Sequence, residues 1–235
     1  EWSLTVLAKL GRHGGGTYKM DDRRFFHRAD IVQTKDINGS FDAVLIGSGD
    51  RADPLDKGGL AINHFYMIKD RNIVPGSATD STLTHTLLTD LTDNCVQESG
   101  CTVNLADGWK VQMESFGEKV LSTPITIAGT VFFTSYIPNA NSIDPCQPSE
   151  GSGRIYALNL QDARAVRNYD TTDDTVPGVA STKEDRSELL KSPGIPAEVV
   201  ALTPNRILRP DFSIEELDVA TRWRTFWYIE EGDGS

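Results

Sequence analysis

Residues 41–54 read FDAVLIGSGDRADP. An apolar run, Ala43 to Ile46, opens into a turn of small residues, Gly47-Ser48-Gly49, followed by an acid and a base, Asp50 and Arg51. A phosphate-binding loop begins this way, and so does a strand that ends in a tight turn. The stretch lacks the Gly-Lys-Ser/Thr ending of a P-loop, and Ala52 stands where a dinucleotide fingerprint needs its third glycine. Pro54 and the pair Gly58-Gly59 then make a loop, so no helix N-terminus follows to hold a phosphate. The residues therefore predict a buried strand with a terminal turn. Its glycines serve tight backbone geometry, and Asp50 bonds turn amides or pairs with Arg51.

Strand-like text recurs on either side, at residues 2–7, 42–47, 64–68, 109–113, 125–136, 154–160, 198–202 and 221–229, with turn-rich gaps between. Helical periodicity is scarce. Leu83, Leu87, Leu88 and Leu91 have helical spacing, but the threonines among them favour extended backbone, so one or two turns are expected at most. In residues 182–190, Thr182 and Asp185 resemble a capping box. That segment lies within a polar stretch, 161–196, expected as a surface insertion.

Many short strands argue for a sandwich, barrel or propeller. A weak internal repeat favours the propeller. Val44-Leu45-Ile46-Gly47-Ser48 is followed by a strand around Phe65 and Tyr66, and Val131-Phe132-Phe133-Thr134-Ser135 by a strand around Tyr156. In each pair a buried strand ends in small residues, and a strand of aromatic-x-apolar form follows after a loop. The expected class is all-β; a propeller with an incomplete set of blades and an unpaired edge fits the repeat, and a sandwich could produce the same alternation.

Hydrophobic residues make up 38% of the chain and charged residues 24%, the proportions of ordinary globular material. Acids outnumber bases by 34 to 23, a formal charge of −11. That balance repels duplex nucleic acid and anionic membrane surfaces. The longest apolar stretch, residues 125–133, is interrupted by Thr126, Gly129 and Thr130 and falls far short of the roughly 20 residues of a membrane helix. No signal peptide is recognised and the first residues are Glu1-Trp2, so the chain is read as a piece of a processed or longer protein.

Cysteines stand at positions 95, 101 and 146. A Cys-x5-Cys spacing matches no common zinc pattern. With glycine and polar residues between Cys95 and Cys101, a short disulfide-closed loop is expected, and with it an oxidising compartment. A Cys95–Cys146 bridge and three free buried thiols are the alternatives. His13, His27, His64 and His85 show neither ligand nor triad spacing, and no serine lies in a Gly-x-Ser-x-Gly elbow. Residues 36–40 and 170–174 begin like calcium loops but lack the closing acid, which leaves them as solvated turns. Near the C-terminus Trp223, Phe226, Trp227 and Tyr228 cluster with arginines, either as a stacking surface or as the buried face of a closing strand. No catalytic constellation emerges.

The run Asp21-Asp22-Arg23-Arg24-Phe25-Phe26, then FDAVLIGSGDRADPLD, then NHFYMIKD resembles the C-terminal propeller domain of the PilC/PilY proteins, tip-located adhesins and assembly factors of bacterial type IV pili. Further likenesses follow in the same order: Gly108-Trp109, GEKVLSTPITIAGTVFFTSYIP, Cys146-Gln147-Pro148 and GSGRIYALNL. The resemblance spans roughly residues 1–160, fades through 161–196 and returns in GIPAEVVAL and WRTFWYIEE. It implies that residues 1–235 form a C-terminal domain of modified β-propeller class, here with an incomplete set of blades, and without a catalytic centre. Gly47, Ser48, Gly49, Asp50, Arg51, Phe65, Tyr66, Asp70 and Tyr156 would be structural positions of its motifs. The implied role is pilus biogenesis, twitching motility and surface adhesion, outside the cell after export through the periplasm. The implied partners are pilin-like subunits or minor pilins, met by strand-edge pairing, and a host or abiotic surface, with no nucleic acid and no membrane insertion. Some members of the family bind calcium in a propeller loop. That loop would precede Glu1, so no cofactor is expected in this chain. The rivals are a quinoprotein-like or sugar-active propeller enzyme and a structural surface-layer β-module.

Overall fold

A computed structural model describes residues 5–11, 19–55, 61–72, 82–138, 150–172, 179–180, 182–203 and 205–218. Cys146, the aromatic cluster at 223–228 and the strand expected at 221–229 lie outside them. Strands β1 (Ala8–Lys9), β2 (Asp30–Asp36), β3 (Gly39–Gly47), β4 (His64–Asp70), β5 (Leu83–Thr84) and β6 (Thr89–Asp90) precede a single helical turn, α1 (Cys95–Glu98). After it come β7 (Gly108–Gln112), β8 (Lys119–Val120), β9 (Ile125–Ile127), β10 (Thr130–Ile137), β11 (Ser152–Asn159), β12 (Ser187–Pro193), β13 (Val200–Thr203), β14 (Arg206–Leu208) and β15 (Ile214–Glu216). No described helix is long and apolar enough to cross a membrane.

Among the described residues the strands form several small sheets and no closed barrel. The first runs β2-β3-β4-β7-β6, the second β12-β11-β10-β8 with β9 also on β10, and the third β13-β14-β15. The repeat read from the sequence is realised as two antiparallel pairs. In one, Gly47 lies opposite Phe65; in the other, Phe133 lies opposite Tyr156. Each pair sits inside its sheet, which is why β4 and β10 are apolar on both faces.

Side-chain alternation then stacks the sheets. Phe65 and Met67 of β4 meet Val131 and Phe133 of β10 and Tyr156 and Leu158 of β11 in one core. The opposite faces of β10 and β11, with Phe132, Ile155 and Ala157, pack on Val199, Ile207 and Leu217 beside the third sheet. Tyr66 and Ile68, on the other face of β4, pack on Leu10, Leu83 and Leu88. Phe65 and Phe133 stack at 3.9 Å between ring centres, and Phe133 and Tyr156 at 4.7 Å. The Trp109 indole of β7 donates to the Leu160 carbonyl oxygen at 3.0 Å, joining the first sheet to the chain leaving the second.

Three local expectations need correction. Residues 125–136 are not one strand: Ala128 (φ 49°) and Gly129 (φ 83°) are both left-handed and turn the chain between β9 and β10, the geometry of a two-residue hairpin. Leu83 to Leu91 stay within the expected limit: two short strands, β5 and β6, flank a turn in which the Leu87 amide donates to the Thr84 carbonyl oxygen. Residues 182–190 give one 3-10 turn, Glu184–Arg186, and then β12; the Asp185 carboxylate does accept the Thr182 amide at 2.9 Å. The 161–196 stretch is not wholly at the surface either. Asp185, Arg186 and Ser187 are buried, and β12 pairs with β11, because the sheet needs a partner on that edge.

Candidate functional site

The stretch 41–54 lies at the junction of the two main sheets. Ala43 and Leu45 are fully buried in β3, between β2 and β4. Beyond Gly47 the chain leaves the first sheet and touches the second. The Ser48 carbonyl oxygen accepts the Val120 amide at 3.0 Å, and the Gly49 amide donates to the Arg24 carbonyl oxygen at 2.8 Å. A Cβ at position 47 would lie 2.3 Å from Val120 Cγ1, and one at position 49 would lie 2.7 Å from the Val120 carbonyl oxygen. Close approach of two chains, not phosphate binding and not positive φ, is what requires these glycines. Ser48 is fully buried, and its hydroxyl accepts from the His64 amide at 2.9 Å while bonding the same residue's carbonyl at 3.3 Å. Ser122 repeats the device in the second sheet, bracketing the amide and carbonyl of Thr134.

From Ser48 a polar belt crosses the seam. Its hydroxyl donates to Asn63 Oδ1 at 3.1 Å, and Asn63 Nδ2 donates to the Glu118 carbonyl oxygen at 2.9 Å. The Glu118 side chain is wholly buried. One oxygen accepts from the Ser135 hydroxyl and from the Tyr156 hydroxyl at 2.8 Å; the other accepts the Ser115 amide at 2.8 Å. Arg154 lies 4.0 Å away and pairs with Glu114 at 2.5 Å, and Ser187 closes the belt on Glu114 at 2.7 Å. Burial, reinforced by Glu118, holds the Tyr156 hydroxyl well above its ordinary pKa, so it stays a donor at all physiological pH. Burial also pushes Glu114 up, against the pull of Arg154. The belt is an arrangement of mutual donors and acceptors that fastens one sheet to the other.

Beside β4 lies a second cluster, at a cavity of about 390 Å³. His64 Nδ1 is 3.0 Å from the Ile62 carbonyl oxygen, which makes it the protonated nitrogen. His85 lies between the Tyr66 hydroxyl, 3.0 Å from Nδ1, and Lys110 Nζ, 3.2 Å from Nε2. An ammonium has only protons to give, so Nε2 accepts and Nδ1 carries the hydrogen. The His64 and His85 rings meet edge to face at 4.7 Å. Burial, with the charges of Arg23 and Lys110, lowers both to about 4.

The remaining sequence-singled residues do local work. Of the two roles expected for Asp50 the structure shows the first: its carboxylate accepts the turn amide of Ala52 at 2.9 Å, and its ion pair, at 2.9 Å, is with Arg24. The exposed Arg51 lies 3.2 Å from His27 Nε2. Asp70 ends β4 by accepting the Asn72 amide. The calcium-like stretch 36–40 is the hairpin turn between β2 and β3, and the Asp36 carboxylate is taken by Lys69 at 2.8 Å and Arg71 at 2.6 Å. Asp170 accepts the Thr172 amide, and residues 173–174 lie outside the described residues. Among the described residues no three His, Cys, Asp or Glu converge on a metal position. Sequence reasoning missed Glu118, Glu114 and Arg154. Nothing local marks them, since the belt forms only when six separate segments meet.

Cys95 and Cys101 are joined, with 5.5 Å between their Cα atoms. The closed loop contains α1 and works as a clip: Gln97 bonds the Ala165 amide and the carbonyl oxygens of Ala165 and Ala180, and Glu98 accepts the Lys183 amide. On the chain-entropy account a loop this short stabilises by about 2 kcal/mol. Mass spectrometry of unreduced peptides is expected to recover 95 and 101 in one linked fragment, with the midpoint of unfolding lowered after reduction. Alkylation of both thiols in native material would refute the bridge.

No family model matches the chain, and no curated protein does. A solved structure is similar, the C-terminal domain of PilY1 from Pseudomonas aeruginosa, with a TM-score of 0.56 and 14% identity over 84% of this chain. The chain has the fold of the PilY1 C-terminal domain. It spans 45% of that domain's length. The PilY1-like fold accounts for the small stacked sheets, and it agrees with the resemblance read from the ordered motifs of residues 1–160.

Proposed function

We propose that the chain is a non-catalytic domain of type IV pilus biogenesis, carried at the pilus tip outside the cell, where it takes part in surface adhesion. The observation that carries this reading is the likeness of fold to the PilY1 C-terminal domain over most of the chain. The Cys95–Cys101 bridge adds support, since such bonds persist in oxidising compartments such as the periplasm and the cell exterior. The acidic balance, −11, suits neither nucleic acid nor an anionic membrane surface. Its partners are pilin-like subunits or minor pilins, docked by pairing to an open strand edge, and a host or abiotic surface. Among the described residues β13 offers such an edge, with β14 on one side only. No cofactor is assigned to this chain, and the family's calcium loop would precede Glu1.

Deleting residues 42–160 from the intact protein tests the proposal. Surface pili and twitching should be lost, with the remaining protein still exported. Normal piliation would overturn the reading in favour of a structural module. Turnover of sugars by the purified domain, or oxidation of alcohols with an added quinone, would overturn it in favour of a propeller enzyme.

A further inference from the structure

Two arginines are fully buried among the described residues. Arg23 has a counter-ion, Asp21 at 2.8 Å. Arg186, 2% exposed, has none among the described residues: Nη1 donates to the Thr92 carbonyl oxygen and Nη2 to Asn94 Oδ1, both at 2.9 Å and both neutral. Two of the five guanidinium N–H groups are thereby used, and Nε is without a partner. Arginine does not escape burial by losing its proton. Burial lowers Arg186 to about 10, against the pull of Glu98, Glu114 and Asp162, which still leaves a full charge at neutral pH. A buried ion without a partner is costly, and an anion brought to it relieves that cost.

Arg186 lines a cleft of about 300 Å³ between the seam and the segment held by the disulfide loop. That volume is at the small end for ligand pockets. Val111, Met113 and Tyr156 supply an apolar wall, and Lys183, with its side chain 45% exposed, stands at the edge. Two acids also line the cleft. Glu114 is held by Arg154 and Ser187, whereas Glu184 is exposed. They make the cleft hostile to a dianion such as phosphate but leave room for a single negative charge, and the apolar wall asks for a carbon body behind that charge.

We propose that this cleft binds a small organic monocarboxylate, with its carboxylate on the Arg186 guanidinium and its apolar body against Val111, Met113 and Tyr156. The site is independent of the pilus reading and does not stand or fall with it. Benzoate is a suitable probe, with benzamide as its neutral counterpart of the same shape. In the isotope-labelled full chain at neutral pH, benzoate should shift the amides of Thr92, Gln112, Met113 and residues 183–186 in a saturable manner, and benzamide should not. Arg186→Gln should weaken benzoate binding by about tenfold or more, the scale of a lost charge-assisted contact. Lys183→Gln, a change at an exposed side chain, should weaken it by a smaller factor. The benzoate–benzamide contrast needs no variant, so it decides the matter even where Arg186→Gln fails to fold. Equal binding of the amide, tighter binding of inorganic phosphate, shifts centred elsewhere, or no saturable shift would each overturn the proposal.

Discussion

Valine at position 49 is expected to destabilise the protein by about 3 kcal/mol, the upper end of what overpacking costs. The reason is geometric. A Cβ there would sit 2.7 Å from the Val120 carbonyl oxygen and 2.9 Å from Lys119 Cβ. The first is backbone held in β8, so no rotamer change relieves the contact. Relief needs the two sheets to part where the Ser48 carbonyl accepts the Val120 amide, which also loosens the stack of Phe65 on Phe133. Urea unfolding should show a lower midpoint at unchanged slope. A variant with wild-type stability would refute the close approach. Neither ATP nor NAD should bind the unsubstituted protein at this turn.

Acidification should produce the second large effect. His64 and His85 both have a folded-state value of about 4, against about 6.5 in an unfolded chain. Between these values the unfolded chain binds more protons, so stability falls as pH falls. Their contribution is complete above about pH 6.5 and is lost progressively toward pH 4. The shift at His64 corresponds to about 3 kcal/mol at the acid end. His85 is more open to solvent and contributes less than its shift suggests, because screening weakens the repulsion from Lys110. Protonating it must also break the bond from Lys110 Nζ to Nε2. Thermal unfolding followed from pH 7 to pH 4 should show the decline, and His64→Gln should flatten it. A midpoint independent of pH across that window would refute the coupling.

The all-β class, the buried strand β3 and the paired repeat were legible because β3, β4, β10 and β11 are buried on one or both faces, and burial writes itself as continuous or alternating apolar text. Elsewhere tertiary pairing overrode local preference. Residues Ser187–Pro193 contain Glu, two Leu and Lys, good helix formers, yet they are extended because β11 offers an edge. β2 is half-polar and carries no strand signal of its own, since an outer strand needs only one apolar face. The turn inside residues 125–136 hid behind Ala128, an unusual occupant of the left-handed region. The seam was illegible for a different reason. Glu118, Ser135 and the pair Arg154 and Tyr156 of β11 come from three separate parts of the chain, and no spacing announces that they meet.

Trp109 gives the fold an optical signature. Its indole lies at the seam, fully buried, with its N–H on a carbonyl 51 residues further along the chain. Any motion that parts the two sheets wets that ring and breaks that bond together. Its emission would move to the red at the first separation of the layers, before the strands within either sheet come undone. The molecule therefore carries a built-in gauge of its own delamination, placed where the two halves of the repeat are pressed together.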